Sequence, residues 1–444
     1  MTQLEPPAPA RWQEVPPAPS FGSDLAEAAP VVMRRGLTVS LVALLLGQLP
    51  PLAVNLGGGG LAIATQLRMG WLYSVAANAA AIRIDEFSRS TGEPILYGVA
   101  AFRLALLTFT AVIVWMLVRA GAASARQVTD RPSRRAFAGA LVAIPYTAPL
   151  AILAALVDLR LATGGGFLPD VTTLSAVVRD MLILPLLIGG VAGALGGLQT
   201  STWWRGWPGD VLAGGWRTFT TALFASLLGL LAFSALRPAG LDAYVQELRS
   251  LSTRGSAVAV GHQLLLLPNQ AALVLVPAMG VCDTITIDGV SSDVLCLDRL
   301  PDERNPLDWL STTLDDRPGA PTAPAPWSAR VLLLVPLIAV AVGARRVVGE
   351  RSNVGRAVVG AIGAAVVFGV LVAGITWAST VEIAWANAID RTTEPREPDV
   401  IDRRDVALGA QPIVAGLFAM GWGVAVGVPT ASVTALARRR RAEG

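Results

Sequence analysis

The chain has 444 residues, 53% of them hydrophobic and 15% charged, with a mean hydropathy of +0.56. No water-soluble core needs so much apolar length, so the bilayer is the solvent, and each crossing segment must satisfy its own backbone as a helix. All 35 basic residues are arginine, which excludes chemistry that needs an ammonium group, such as a P-loop or Schiff-base lysine.

The pI near 9.3 comes from arginines at the ends of apolar runs, where the positive-inside rule explains them without nucleic acid as a partner. The missing lysine and the richness in Ala, Gly and Pro read as the codon bias of a G+C-rich bacterial genome, and hence as a bacterial inner-membrane protein.

In chain order, residues 1–32 carry seven prolines and few large apolar side chains, the composition of a disordered cytoplasmic tail. Arg34 and Arg35 then suit the inner flank of an uncleaved signal anchor. The predicted spans are 36–53, 95–118, 136–157, 181–198, 218–236, 331–343, 357–377 and 412–435. With both termini cytoplasmic, arginine-rich junctions such as 119–135, 345–356 and 438–441 fall inside. The acidic loops fall outside, the longest being the extracytoplasmic loop 237–328. Eight spans satisfy every loop at once.

That parity leaves two apolar segments, 61–82 and 257–279, which as full crossings would turn later arginine clusters outward. They are expected to be broken or re-entrant, or to lie along the outer interface. Gly57, Gly58, Gly59 and Gly60 precede the first, and Pro268, Asn269 and Gln270 interrupt the second.

Similar segments recur along the chain. "FRLALLTFTAVIVWMLVRAG" from Phe102 resembles the run from Ala329, "RRAFAGALVA" from Arg134 resembles the run from Gly355, and the run from Pro185 resembles that from Pro412, at spacings of 227, 221 and 227 residues. The predicted fold class is therefore an all-α polytopic membrane protein of eight helices in two tandem parallel four-span repeats, 33–217 and 218–438, followed by a basic cytoplasmic tail at 439–444. Broken segments at matched places in two repeats point to a binding site. Gly189, Gly193 and Gly197 in the fourth span, and Gly423 and Gly427 in the eighth, offer small faces for close helix packing.

The expected substrate or ion contacts are His262, Gln263, Asn269 and Gln270 around the second break, with Asn55 beside the glycine run. Cys282 and Cys296 share the outer loop and are expected to form a structural disulfide. With no nearby histidine they do not make a four-ligand metal set, so no metal and no cofactor are expected. His262 is the only histidine, which excludes HExxH chemistry, and no GxSxG elbow accompanies it.

Asp85 and Glu86 form an acidic pair placed like the carboxylates of lipid-linked glycosyltransferases. Trp203, Trp204, Trp207 and Trp216 suit an interfacial anchor. The leading functional expectation is a non-enzymatic permease-like or transport-associated protein. The alternatives are an envelope or cell-division scaffold, whose outer loop or Pro-rich tail binds envelope proteins, and a lipid-linked glycosyltransferase. The lipid bilayer is the one partner common to all three.

Overall fold

The computed structural model describes residues 21–88, 95–162, 171–236, 253–297, 299–301, 322–324, 327–348, 353–388 and 400–443. They are mostly helical, and seven helices are long and apolar enough to cross a membrane. The first half holds α1 (Phe21–Leu56), α2 (Ile63–Ala77), the strands β1 (Ile82–Ser88) and β2 (Ile95–Arg103), and α3 (Leu107–Ala125). It continues with α4 (Pro132–Ala140), α5 (Ala143–Leu156), β3 (Asp158–Ala162), β4 (Val171–Ala176) and α6 (Val178–Gln199). The second half runs α7 (Trp207–Leu236), α8 (Thr253–Ala278), β5 (Asp283–Ile287), β6 (Val290–Leu295) and a small pair, β7 (Arg299–Pro301) with β8 (Thr322–Pro324). It ends with α9 (Leu334–Val347), α10 (Val354–Ser379), β9 (Val381–Ala388), β10 (Val400–Gly409) and α11 (Pro412–Glu443).

The seven membrane-length helices are α1, α3, the α4–α5 pair, α6, the Ala259–Ala278 part of α8, α10 and α11. α7 and α9, at the fifth and sixth expected spans, are not among them. α9 has only 14 residues, short of the roughly 20 a crossing needs, although a 3₁₀ segment, Trp327–Leu333, leads into it. α1 already begins at Phe21, so the end of the expected tail is helical. Residues 1–20 lie outside the described residues. At the other terminus α11 continues to Glu443 through the basic stretch expected to be a tail.

Neither segment turns back at its expected break: α2 covers 63–77 of the first, which ends in a turn and the start of β1, and α8 runs through the second to Ala278. Pro268 lies inside α8, where it removes one amide donor. The neighbouring Leu265 carbonyl accepts a hydrogen bond from Thr108 Oγ1 at 2.6 Å, so packing against α3 satisfies backbone at the place where a turn was expected. The glycine run forms the short α1–α2 connection instead, with positive φ at Gly58 and Gly60.

The sheet is what the sequence reading did not foresee. Eight strands pair in the order β3-β4-β1-β2-β9-β10-β5-β6, all antiparallel. Its hairpins connect α2 to α3, α5 to α6 and α10 to α11, and follow α8, so every one of them lies at the same end of the bundle. Short connections set them there: Val177 N–H donates to Ala81 O, and Leu106 N–H to Ala76 O.

The helices beneath pack through small residues. A Cβ on Gly196 would stand 1.9 Å from Val118 O, and one on Gly193 2.2 Å from Gly139 O, so α6 lies against α3 and α4 with backbones in near contact. Tyr146 and Phe368, both fully buried, fill the cores of the first and second halves. At the end away from the sheet, buried Asp24 accepts from Arg134 Nη1 and Thr129 Oγ1, each at 2.8 Å.

Candidate functional site

The expected contact residues are spread over three places. Asn269, near the middle of α8, is buried and bonded to backbone through both ends of its amide. Its Nδ2 donates to Ala105 O at 2.6 Å, and its Oδ1 accepts from Leu107 N–H at 3.2 Å. Donor and acceptor each meet the complementary group where β2 turns into α3. Asn269 is therefore a clamp between the halves, buried among backbone groups rather than facing an open cavity.

Gln270 donates to Gln263 Oε1 at 2.9 Å on the exposed side of α8. His262 Nε2 is 3.3 Å from the Tyr73 hydroxyl of α2. It lines an apolar hollow of about 340 Å³ with Leu49, Pro50, Ala53, Thr108 and Leu265. Asn55 closes the glycine loop: its Oδ1 accepts from Leu61 N–H, and its Nδ2 donates to Leu61 O and Gln66 Oε1.

A second polar cluster lies at the sheet end of the first half. Tyr146 donates its hydroxyl to Asn78 Oδ1 at 2.5 Å, Asn78 Nδ2 donates to Ser74 O, and Ser74 Oγ donates to Ala43 O or Gly70 O. Ser40 Oγ donates to Tyr146 O. The chain ties α1, α2 and α5 together, so these groups serve the fold.

Sequence reasoning missed a cleft with charge. About 410 Å³ lies between the β2–β9 seam and the start of α6, lined by Arg103, Arg179, Asp180 and Glu382. Arg103 pairs with Glu382 and stacks over Trp377 at 4.7 Å, while Arg179 lies 3.5 Å from Asp180. The two cations and two anions neutralise one another, which does not favour an ion of either sign. Antiparallel pairing of Arg103 with Glu382 across β2 and β9 was the signal that could have found it, and that pairing is visible only once the strands are known.

Cys282 and Cys296 form a disulfide, with Cα atoms 4.5 Å apart, that ties the start of β5 to the end of β6. Asp293 lies within 4.8 Å of both sulfurs, but sulfurs bonded to each other offer no thiolate to a metal. Asp283 is buried beside this bond, and burial pushes its carboxyl up to about 7 against the one hydrogen bond it receives, from the Ala410 backbone. Asp85 is committed to Arg83 Nε at 2.8 Å.

No family model matches the chain, and neither a curated protein nor a solved structure matches it.

Proposed function

We propose that the protein is a non-catalytic membrane scaffold of two tandem units, with its termini cytoplasmic and its sheet on the extracytoplasmic side as an assembly platform. The transport reading drew its support from a broken segment with free amides. α8 is unbroken and Asn269 is buried and bonded to backbone, so that support is gone. The observation that carries the scaffold reading is the sheet itself, in which four hairpins from both halves join, at one end of the bundle, into a single ladder of eight strands. A permease that rocks one half against the other would have to shear it.

The tandem-unit part rests on bonding that recurs. After α2, Ala79 N–H donates to Ala76 O and Ala80 N–H to Val75 O; after α8, Gly280 N–H donates to Pro277 O and Val281 N–H to Val276 O. The registers recur as well: Asp85 lies opposite Thr173 as Thr286 lies opposite Ala407, and Arg160 lies opposite Thr173 as Glu382 lies opposite Ala407. α6 and α11 then begin at matching places, which aligns Gly189 and Gly193 with Gly423 and Gly427. Pro185 does not align with Pro412 in this register. Eight crossings follow if α7 and α9 both span and α8, like its counterpart α2, does not, which leaves six of the seven membrane-length helices plus these two; the arginine-rich junctions favour that count over seven.

Two measurements test the reading. With Ser133→Cys and Ser291→Cys made separately, an impermeant thiol reagent on intact cells should label the second and spare the first; the reverse would overturn the orientation. Cysteine at Ser40 or Thr147, both buried, should stay unreactive to a small charged thiol reagent in membranes opened to both sides. Rapid labelling there would mean a wet path and would return the transport reading.

A further inference from the structure

The sheet is open. β3 and β6 are its two edges among the described residues, and by position they are the counterparts of β9 and β2, the strands that join the halves. Arg160 of β3 and Glu382 of β9 occupy matching stations, as described above. Ala101 of β2 lies opposite Arg83 of β1 as Asp293 of β6 lies opposite Thr284 of β5. One chain thus contains the β2–β9 junction once, formed, and the two sides of the same junction again, unformed, at its ends.

We propose that β6 of one copy pairs antiparallel with β3 of a second copy, in the register of β2 with β9, so that copies join head to tail into one continuous sheet. The proposal rests on the tandem-unit scaffold reading and names the partner of its platform. A junction of this heterologous kind closes into a ring when the rotation per copy allows it. Exposed strand edges are templates for such pairing.

The backbone stations at the two edges correspond. Within the chain, Ala101 lies opposite Ala384 and Phe102 opposite Ile383. The same register places the station of Asp293 opposite that of Ala162, and the station matching Phe102 opposite Leu161. Arg160, two residues from Ala162 on the same face, is diagonal to Asp293, within reach of a long side chain. The charge order is reversed from the internal seam, where β2 carries the cation Arg103 and β9 the anion Glu382. An edge meant to join copies therefore differs in polarity from the seam that joins halves, which opposes wrong pairing. The Arg160 side chain is 71% exposed and, among the described residues, pairs with Asp158 on its own strand, an exposed pair that is easily exchanged. Asp293 is exposed.

The test uses the full chain in native membranes with a benzophenone amino acid in place of Leu161. The expected result is light-dependent product at twice the chain's mass and above, with the crosslinked peptide mapping to 290–297 of a differently tagged copy. Arg160→Asp or Asp293→Arg alone should lower the yield by about two- to fivefold, and the two together should restore it. Crosslinks from Leu161 to 290–297 of the same chain would mean that the sheet closes on itself, and would overturn the proposal while leaving the scaffold reading intact. Crosslinks to another protein, or none above a Leu67 control, would overturn it too. The reactive-core cysteines described above would instead bring down the scaffold reading.

Discussion

α2 and α8 occupy the same place in their halves, run into the same kind of turn and hairpin, and are stabilised differently. α2 is held by its own half, with Ser74 bonded to Ala43 and Gly70 and Asn78 to Tyr146. α8 packs its last turn, with Leu275, Val276 and Ala278, into the core of its own half, and its buried polar bonds go to the other half, through Asn269 and through the Leu265 carbonyl that accepts from Thr108. At the station where α8 carries Asn269, α2 carries Arg68, which is exposed. At this station the polar residue is buried where the opposite half supplies its partners, and its counterpart without them stays open to its surroundings.

The sharpest way to break this comparison is Asn269→Leu. It leaves the Leu107 N–H and the Ala105 C=O buried without partners, at a cost of roughly 2–6 kcal/mol, whereas Arg68→Leu should stay within about 0.5 kcal/mol. Thermal melts of the two variants in the same detergent compare them directly; equal shifts would remove the clamp.

Next in size is the disulfide, which only the second half has. Replacing Cys282 and Cys296 together by serine should lower stability by about 3 kcal/mol on the loop-entropy estimate. A matching drop in melting temperature on mild reduction of the parent protein would confirm the assignment.

Asp283 at the start of β5 has Ile82 as its counterpart in β1, so only the second hairpin should respond to pH. The folded carboxyl titrates near 7 and the unfolded one near its ordinary value, so between these the folded state keeps a proton that the unfolded state has released. Stability is then highest below about pH 4 and falls as pH rises to 7. Asp283→Asn should remove that slope and gain about 1–3 kcal/mol at pH 8. A loss at pH 8 would contradict the burial argument.

The smallest effect concerns the turns after the two helices. Ala79 and Gly280 both have positive φ, 56° and 89°, a region that costs a residue with a Cβ about 1 kcal/mol. Ala79→Gly should stabilise by about that much and Gly280→Ala should destabilise by as much, so the same position would give opposite signs in the two halves.

The helices were largely legible. Gly36, Ala136, Met181, Ala357 and Pro412 begin predicted spans, and each lies in or opens a helix, because long apolar runs leave few alternatives; Ile95 does not, since the predicted span 95–118 opens as β2 and its helix starts only at Leu107. The disulfide was legible for a similar reason: two cysteines had only each other. The hairpins were hidden by how short they are. The Ile82-Arg83-Ile84-Asp85 alternation and the Asp288-Gly289 turn with both residues at positive φ are strand and hairpin signals, but they sit beside apolar runs that dominate any window long enough to find a span. The site residues misled because Pro268 and Asn269 are turn formers in isolation. Only the α3 helix start, 162 residues away in sequence for Leu107 and Asn269, turns them into interior residues of a helix.

The β2–β9 seam has a mechanical consequence. Six residue pairs, from Gly98 with Asn387 to Arg103 with Glu382, join the two halves along this seam. A ladder resists sliding because a slip of one residue turns every side chain to the wrong face, and it resists opening because each exposed amide must find a new partner. Thermal motion of the bundle should therefore be that of a stiff plate with helices hanging from it. The slowest exchanging amides in a deuterium experiment would then be sought along this seam as well as in the membrane core.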